Sequence, residues 1–346
     1  MNELVDKIIT DELNFASKVI KIDKLHGDAS YRTYSRIHLS DGSSLIMMQM
    51  PKGKSSPSEE ITNCTEVLNE LPFINMDRYL KKIGLNVPEI LRYNDNDKIM
   101  VLEDLGDKLL STCIEGLDSE ALNESYKNAV DLLIEIQKQS DDNISANCIA
   151  FKRSFDAKLL NWEFDHFLEY GLEARGVELS RTDLDEFKRQ TRSITEKIEG
   201  MKYGLTLRDY QSRNIIIKNG TFFIIDFQDA LMGPKLYDLV SLLRDSYIEL
   251  DNDLLFHLIG NYAKGSGRSE DQVREEFDLI TIQRKLKDSG RFVYIDRVKG
   301  NPNYLEFIPT SLEYVVQALT RTSGHETLLT ILKKYTPELK RSIKLK

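Results

Sequence analysis

Between residues 16 and 50, apolar and polar side chains alternate with the period of a strand. Val19-Ile20-Lys21-Ile22 opens the pattern and Gly27 turns the chain. Residues 31–39 alternate again, and Asp41-Gly42 leads into Leu45-Ile46-Met47-Met48. An Asp-Gly pair between alternating segments is a hairpin signal. Residues 51–57, rich in Lys, Ser and Pro, read as a loop. Ile74, Met76, Tyr79 and Leu80 give one apolar face to a helix over 74–83, which Gly84 stops. Two further strands, 87–91 and 99–102, flank a turn at Asn94-Asp95-Asn96-Asp97.

After Gly106 the period becomes helical. Leu122, Tyr126, Ala129, Leu133 and Ile136 fall on one face, Leu184, Phe187, Ile194 and Ile198 on a second, and Leu312, Val315, Val316 and Leu319 on a third. A β-rich first part followed by a mostly helical second part predicts an α+β fold of two lobes, 1–103 and 104–346. Internal repeats and low-complexity segments are absent from the sequence.

One stretch carries chemistry. Residues 214–218 and 221–225 are apolar strands joined by Asn219-Gly220, a two-residue hairpin signal. Just before the hairpin runs Leu207-Arg208-Asp209-Tyr210-Gln211-Ser212-Arg213-Asn214, and just after it comes Asp226. An aspartate, an asparagine and a second aspartate in this order suit phosphoryl transfer. Asp209 would orient and deprotonate a hydroxyl, while Asn214 and Asp226 would hold a metal ion, with Gln211 as a possible supplement. Strict alternation would put Asn214 and Asp226 on opposite faces, so the chain must bend where the strands end. Asp238, ahead of Leu239-Val240-Ser241-Leu242-Leu243, reads as a helix N-cap.

These motifs resemble the aminoglycoside phosphotransferase and choline kinase superfamily. The run from Asp226 to Asp245 is similar to the bacterial branch of anomeric N-acetylmuramate and N-acetylglucosamine kinases. Residues 27–36, 102–107 and 283–304 extend that similarity. Two departures stand out: Leu207 where the superfamily has a histidine, and Gln228 where many members have glycine. The resemblance implies a protein-kinase-like fold, ATP and Mg²⁺ as cofactors, and a small-molecule acceptor, an amino sugar in this branch. An aminoglycoside or aminoalcohol kinase remains the alternative within enzymes, and a non-catalytic pseudokinase the alternative outside them.

On the same basis Gly27, Asp28, Ala29 and Ser30 would cover the nucleotide phosphates, small residues letting backbone N–H groups approach. The strand lysine of kinases is not evident. Arg32 is either its substitute or an exposed strand arginine. Glu103 and Leu105, at the lobe junction, would border the adenine. Arg208 and Arg213 would serve developing phosphoryl charge or pair with nearby aspartates. Glu163, His166 and Asp229 would face the acceptor, although Glu163 and His166 also fit a solvated pair on one helix face. The basic residues of 283–285 and 291–297 would meet a carboxylate-bearing sugar or lie on a helix surface.

The 346 residues suffice for two packed lobes. A net charge of −9 argues against general nucleic-acid or anionic-membrane binding. The three cysteines, Cys64, Cys113 and Cys148, lack metal-type spacing and read as reduced thiols. The first residues carry charges where a signal peptide needs an apolar run, and no stretch is long enough to span a bilayer, so a cytoplasmic location is expected.

Overall fold

The first lobe is built on five antiparallel strands: β1 (Val19–Lys24), β2 (Thr33–Leu39), β3 (Ser44–Gln49), β4 (Ile90–Asn94) and β5 (Ile99–Glu103). Their order across the sheet is β1-β2-β3-β5-β4. The structure, a computed structural model, describes residues 2–25, 32–50 and 70–342. Gly27, Asp28, Ala29 and Ser30 lie outside the described residues. The turn at Asp41-Gly42 closes β2 onto β3 as expected.

Alternation along the strands divides their side chains between two cores. Ile37, Leu39, Leu45, Met47, Ile99 and Val101 cluster with Val5, Ile8 and Ile9 of the N-terminal helical segment. Met48, Met100 and Leu102 join a larger core with Met76, Tyr79 and Leu80 of helix Pro72–Lys82. Both faces are covered, which explains why 99–102 is a continuous apolar run. β4 begins at Ile90 rather than at 87, because Pro88 has no N–H to give a ladder.

Past Glu103, where the sheet ends, the chain is mostly helical. The three expected apolar faces lie in helices Ser119–Asp142, Arg181–Glu199 and Ile308–Arg321. Helix Glu270–Lys299 shows no such face in the sequence. Phe277, Leu279, Ile280, Ile282, Leu286, Phe292 and Val293 are all buried, so its apolar positions run round the cylinder. Among the described residues no helix is long and apolar enough to cross a membrane.

Two features of this lobe shape the site. The hairpin β7 (Ile215–Lys218) and β8 (Thr221–Ile224) turns at Asn219 and Gly220, with φ of +52° and +78°. Two positive φ values in succession fit the turn that the Asn-Gly pair predicts. Helix Glu270–Lys299 also crosses the end of helix Ala157–His166 at backbone contact. A Cβ on Gly290 would stand 2.8 Å from the His166 carbonyl oxygen and 2.9 Å from Phe167 Cα. Only glycine permits that approach, and it brings the two helices' polar side chains into one cavity.

Candidate active site

Strand β6 (Tyr203–Thr206) delivers the chain into the loop at Leu207. The backbone N–H groups of Leu207 and Arg208 donate to the two carboxylate oxygens of Asp238, at 2.7 and 2.9 Å. These bonds hold Arg208 at φ +74°, a conformation that costs a non-glycine residue on the order of 1 kcal/mol. Asp238 is therefore not the expected helix cap. Its helix, Tyr237–Leu243, starts one residue earlier and has no side-chain cap. Burial pushes the Asp238 carboxyl up to about 7, against the pull of the two N–H bonds. Leu207, in the place of a histidine, is buried in the core.

The rest of the loop is pinned along its length. The Tyr210 hydroxyl donates to the Ala129 carbonyl at 2.8 Å, and Ser212 donates to Asp245 through its N–H and its hydroxyl. Asn214 closes the short turn Ser212–Asn214, and its Nδ2 donates to the Asp209 carbonyl at 2.8 Å. On the far strand, the Ile225 N–H donates to the Asn214 carbonyl at 3.0 Å, and Asp226 then takes φ +60°. The bend demanded by strand alternation is thus supplied by a tight turn before β7 and a left-handed residue after β8. Asp209, Asn214 and Asp226 line one cavity of about 240 Å³.

Around Asp226 the cavity is acidic. Gln228 Nε2 donates to Asp226 at 2.8 Å and to Asp229 at 3.1 Å, and Asp229 also lines the wall. Burial and then the charge of Asp209 push the Asp226 carboxyl up to about 6, although part of its side chain faces the cavity. Arg32 is not an exposed strand residue: it lines the cavity with its guanidinium 4.0 Å from Asp226. β3 contains no lysine. Among the described residues no group of three or more His, Cys, Asp or Glu is arranged to hold a metal. Asn214 and Asp226 offer two oxygen donors, which suits a hard cation that completes its shell with phosphate and water.

The opposite wall comes from helices Ala157–His166 and Glu270–Lys299. Glu163 and His166 are not a solvated pair, being 1% and 5% exposed. Both Glu163 oxygens are engaged, by Arg208 at 3.4 Å and by Gln283 Nε2 at 2.6 Å. The Arg208 guanidinium pairs with Glu163 through Nη2, leaves its buried Nη1 without a hydrogen bond, and lies 5.4 Å from the Phe155 ring. His166 stacks on Trp162 and leans on Tyr170, and its Nε2 makes no hydrogen bond. Burial, with Arg291 and Lys287 nearby, pushes its pKa down to about 3, so the imidazole is neutral.

Arg284, Lys287, Asp288 and Arg291 line this wall. Arg284 and Arg291 belong to the basic segments expected to meet a carboxylate-bearing sugar or lie on a helix surface, while Lys287 and Asp288 were not singled out. Asp288 receives Lys285 and Lys287, each at 2.9 Å. These cations outweigh burial and hold its carboxyl well below the usual range. The available signal was spacing: 284, 287, 288, 291 and 295 fall on one helical face. Trp162, Phe292, Ile295 and Tyr304 supply apolar surface beside them.

Three expected residues lie outside this cavity, Glu103 and Leu105 among them at the end of the sheet where the sequence put them. Arg213 does not line this cavity. Its guanidinium carbon lies over the Tyr247 ring, 3.6 Å from the centroid, and the residue borders a neighbouring cavity. Glu103 pairs with Lys218 at 2.7 Å, and Lys218 also reaches the Asp104 carbonyl. Leu105 is buried at the junction, where Arg36 from β2 clasps Asp104 and Asp107.

The arrangement is that of a phosphotransferase, and its relatives agree. The N-acetylmuramate/N-acetylglucosamine kinase of Neisseria meningitidis serogroup B is 27% identical over 314 residues, 88% of this chain and 87% of its own. The protein of that name from Pseudomonas aeruginosa is 28% identical over 303 residues, 85% of this chain and 82% of its own. Choline kinase LicA from Streptococcus pneumoniae shares the fold with a TM-score of 0.60 at 15% identity, over 91% of this chain and 99% of its own. Wild-type aminoglycoside 2'-phosphotransferase-IIIa, in its GDP complex, also gives 0.60, at 13% identity over 92% and 98%. Residues 21–275 match the family described as the phosphotransferase enzyme family. The chain is a small-molecule kinase of α+β, kinase-like fold, and it belongs to the phosphotransferase enzyme family.

Proposed function

We propose that this protein is an ATP- and Mg²⁺-dependent kinase that phosphorylates the anomeric hydroxyl of an N-acetylated amino sugar. The observation that carries the reading is the charge of the wall facing Asp209. Arg284, Lys287 and Arg291 stand there with a neutral His166, against Asp288 and a Glu163 already bound by Arg208 and Gln283. A like charge about 4 Å away in a partly buried site costs about 4 kcal/mol. An unpaired cation would thus cost an ammonium-bearing acceptor such as choline or an aminoglycoside roughly three decades of affinity. The carboxylates of Asp209 and Asp288, paired with Arg284 and Lys287, offset part of that. N-acetylation removes the amine's charge, and a sugar carboxylate is drawn to the wall. Two relatives named N-acetylmuramate/N-acetylglucosamine kinase support the same acceptor class.

Asn214 and Asp226 would hold Mg²⁺, which neutralises phosphate charge when bound. Asp209 orients the acceptor hydroxyl and takes its proton. Arg32 brings positive charge to the acidic side, and Glu103 and Leu105 border the adenine through backbone groups. The anomeric hydroxyl is more acidic than an ordinary alcohol, so a carboxylate is a sufficient base. Trp162 and Phe292 give the sugar ring apolar faces to pack on.

The test is acceptor-dependent release of ADP from ATP across N-acetylhexosamines, choline and an aminoglycoside. Release driven by the N-acetylhexosamines supports the reading. Release driven only by the cationic acceptors rejects the acceptor, and no release with any acceptor rejects the kinase reaction.

A further inference from the structure

Arg284 is the most deeply placed cation of the cavity. It comes from the middle of helix Glu270–Lys299, is 3% exposed, and still contributes to the cavity wall. Nη2 lies 3.4 Å from the Asp209 carboxylate, and Nε is 3.9 Å from Asp288, beyond hydrogen-bond reach. The guanidinium carbon sits 4.8 Å from the centre of the Tyr237 ring. Neither Nε nor Nη1 makes a hydrogen bond.

A guanidinium does not escape this situation by losing its proton. Unmade hydrogen bonds on a buried, permanent charge are destabilising, and a bound ligand or water is one way of completing them. The other cations of this wall are differently used. Lys287 holds Asp288, and Arg208 holds Glu163 through Nη2. Arg284 lines the wall in direct contact with Asp209 through Nη2, while its Nε and Nη1 are buried without a hydrogen bond.

We propose that Arg284 is a catalytic residue, whose guanidinium donates to the acceptor oxygen and the transferring phosphoryl group. This rests on the kinase reading above. In the step, the acceptor oxygen bonds to the γ-phosphorus as its proton passes to Asp209. The bond from the γ-phosphorus to the β,γ-bridging oxygen breaks, and ADP leaves with that electron pair. Negative charge is spread over the phosphoryl oxygens beside Asp209, within reach of a group already 3.4 Å from that carboxylate. A rigid fork of N–H donors serves this better than an ammonium.

Wild-type transfer to an N-acetylhexosamine is measured first, so that its absence strikes the kinase reading by itself. Binding of ADP, Mg²⁺ and aluminium fluoride, a mimic of the transferring phosphoryl group, reads Arg284 in either case. Arg284→Ala should lower kcat by about 10²–10³-fold with the KM for ATP changed less than about twofold. Arg284→Lys should restore little, and added guanidinium should restore part of the Ala variant's rate. The aluminium fluoride complex should weaken by a similar factor while ADP affinity and thermal stability hold. Asp209→Asn/Arg284→Ala should be slower than Asp209→Asn. Wild-type kcat in Arg284→Ala would overturn the proposal. So would unchanged binding of the mimic, or a double variant no slower than Asp209→Asn, which would make Arg284 a positioning residue.

Discussion

The carboxylate of Asp238 receives the backbone N–H of Arg208 at 2.9 Å and so fixes the left-handed residue that precedes Asp209. This bond couples a buried helix side chain to the direction in which the proposed base points. Asp238→Asn keeps the shape but loses the charge and one acceptor. A base misplaced by about 1 Å costs about 10²-fold. We expect kcat to fall by roughly 10–100-fold with ATP affinity unchanged; a wild-type kcat would remove Asp238 from the account.

The same residue gives a pH dependence with a definite sign. The folded-state pKa of about 7 lies above the ordinary value of 3.8, so the folded protein binds the proton more tightly than the unfolded chain. Asp238 therefore lowers stability as pH rises from about 4 to about 7, and the effect levels off above. Activity should move oppositely. Protonation removes one of the two acceptors, so kcat should fall below about pH 7, and Asp238→Asn should lose that limb and keep the one that Asp226 sets near pH 6. Denaturation and rate profiles of both proteins check the two signs.

Gly290 sets the separation of the helices that form the acceptor wall. Its prospective Cβ meets backbone atoms of His166 and Phe167, which cannot swing away as a side chain can. Gly290→Ala should destabilise the protein by about 1–3 kcal/mol in denaturant unfolding and raise the acceptor KM more than that for ATP. An Ala variant as stable as the wild type would show that the crossing relaxes freely.

Much of this site was legible because it lies on continuous chain. The Asn219-Gly220 hairpin, Asp209, Asn214 and Asp226 are neighbours in sequence, and local turn chemistry sets where they meet. Asp238 was misread because its partners, Leu207 and Arg208, lie about thirty residues away, and a sequence supplies no such pairing. Arg213 was misplaced for a similar reason: nothing local says that Tyr247 will stack on it. Arg284 and Arg291 fell in basic segments already offered to the sugar, but Lys287 and Asp288 between them escaped because the helix is buried on several sides, which erases the apolar stripe that marks a helix. The crossing at Gly290 decides which of its faces meets the cavity.

If Asn214 and Asp226 hold Mg²⁺, ATP should bind more tightly with Mg²⁺ than without it. Asp226→Ala should abolish that difference. Calorimetry in the two conditions measures it, and equal affinities in the wild type would remove the metal assignment.

The central claim is phosphorylation at the anomeric position, and the reducing end reports on it most directly. N-acetylglucosamine or N-acetylmuramate, incubated with ATP, Mg²⁺ and the protein, should lose reducing ends one for one with ADP formed. The product should regain its reducing end on mild acid treatment. ADP formation with the reducing end intact would place the phosphate on another hydroxyl and contradict the account.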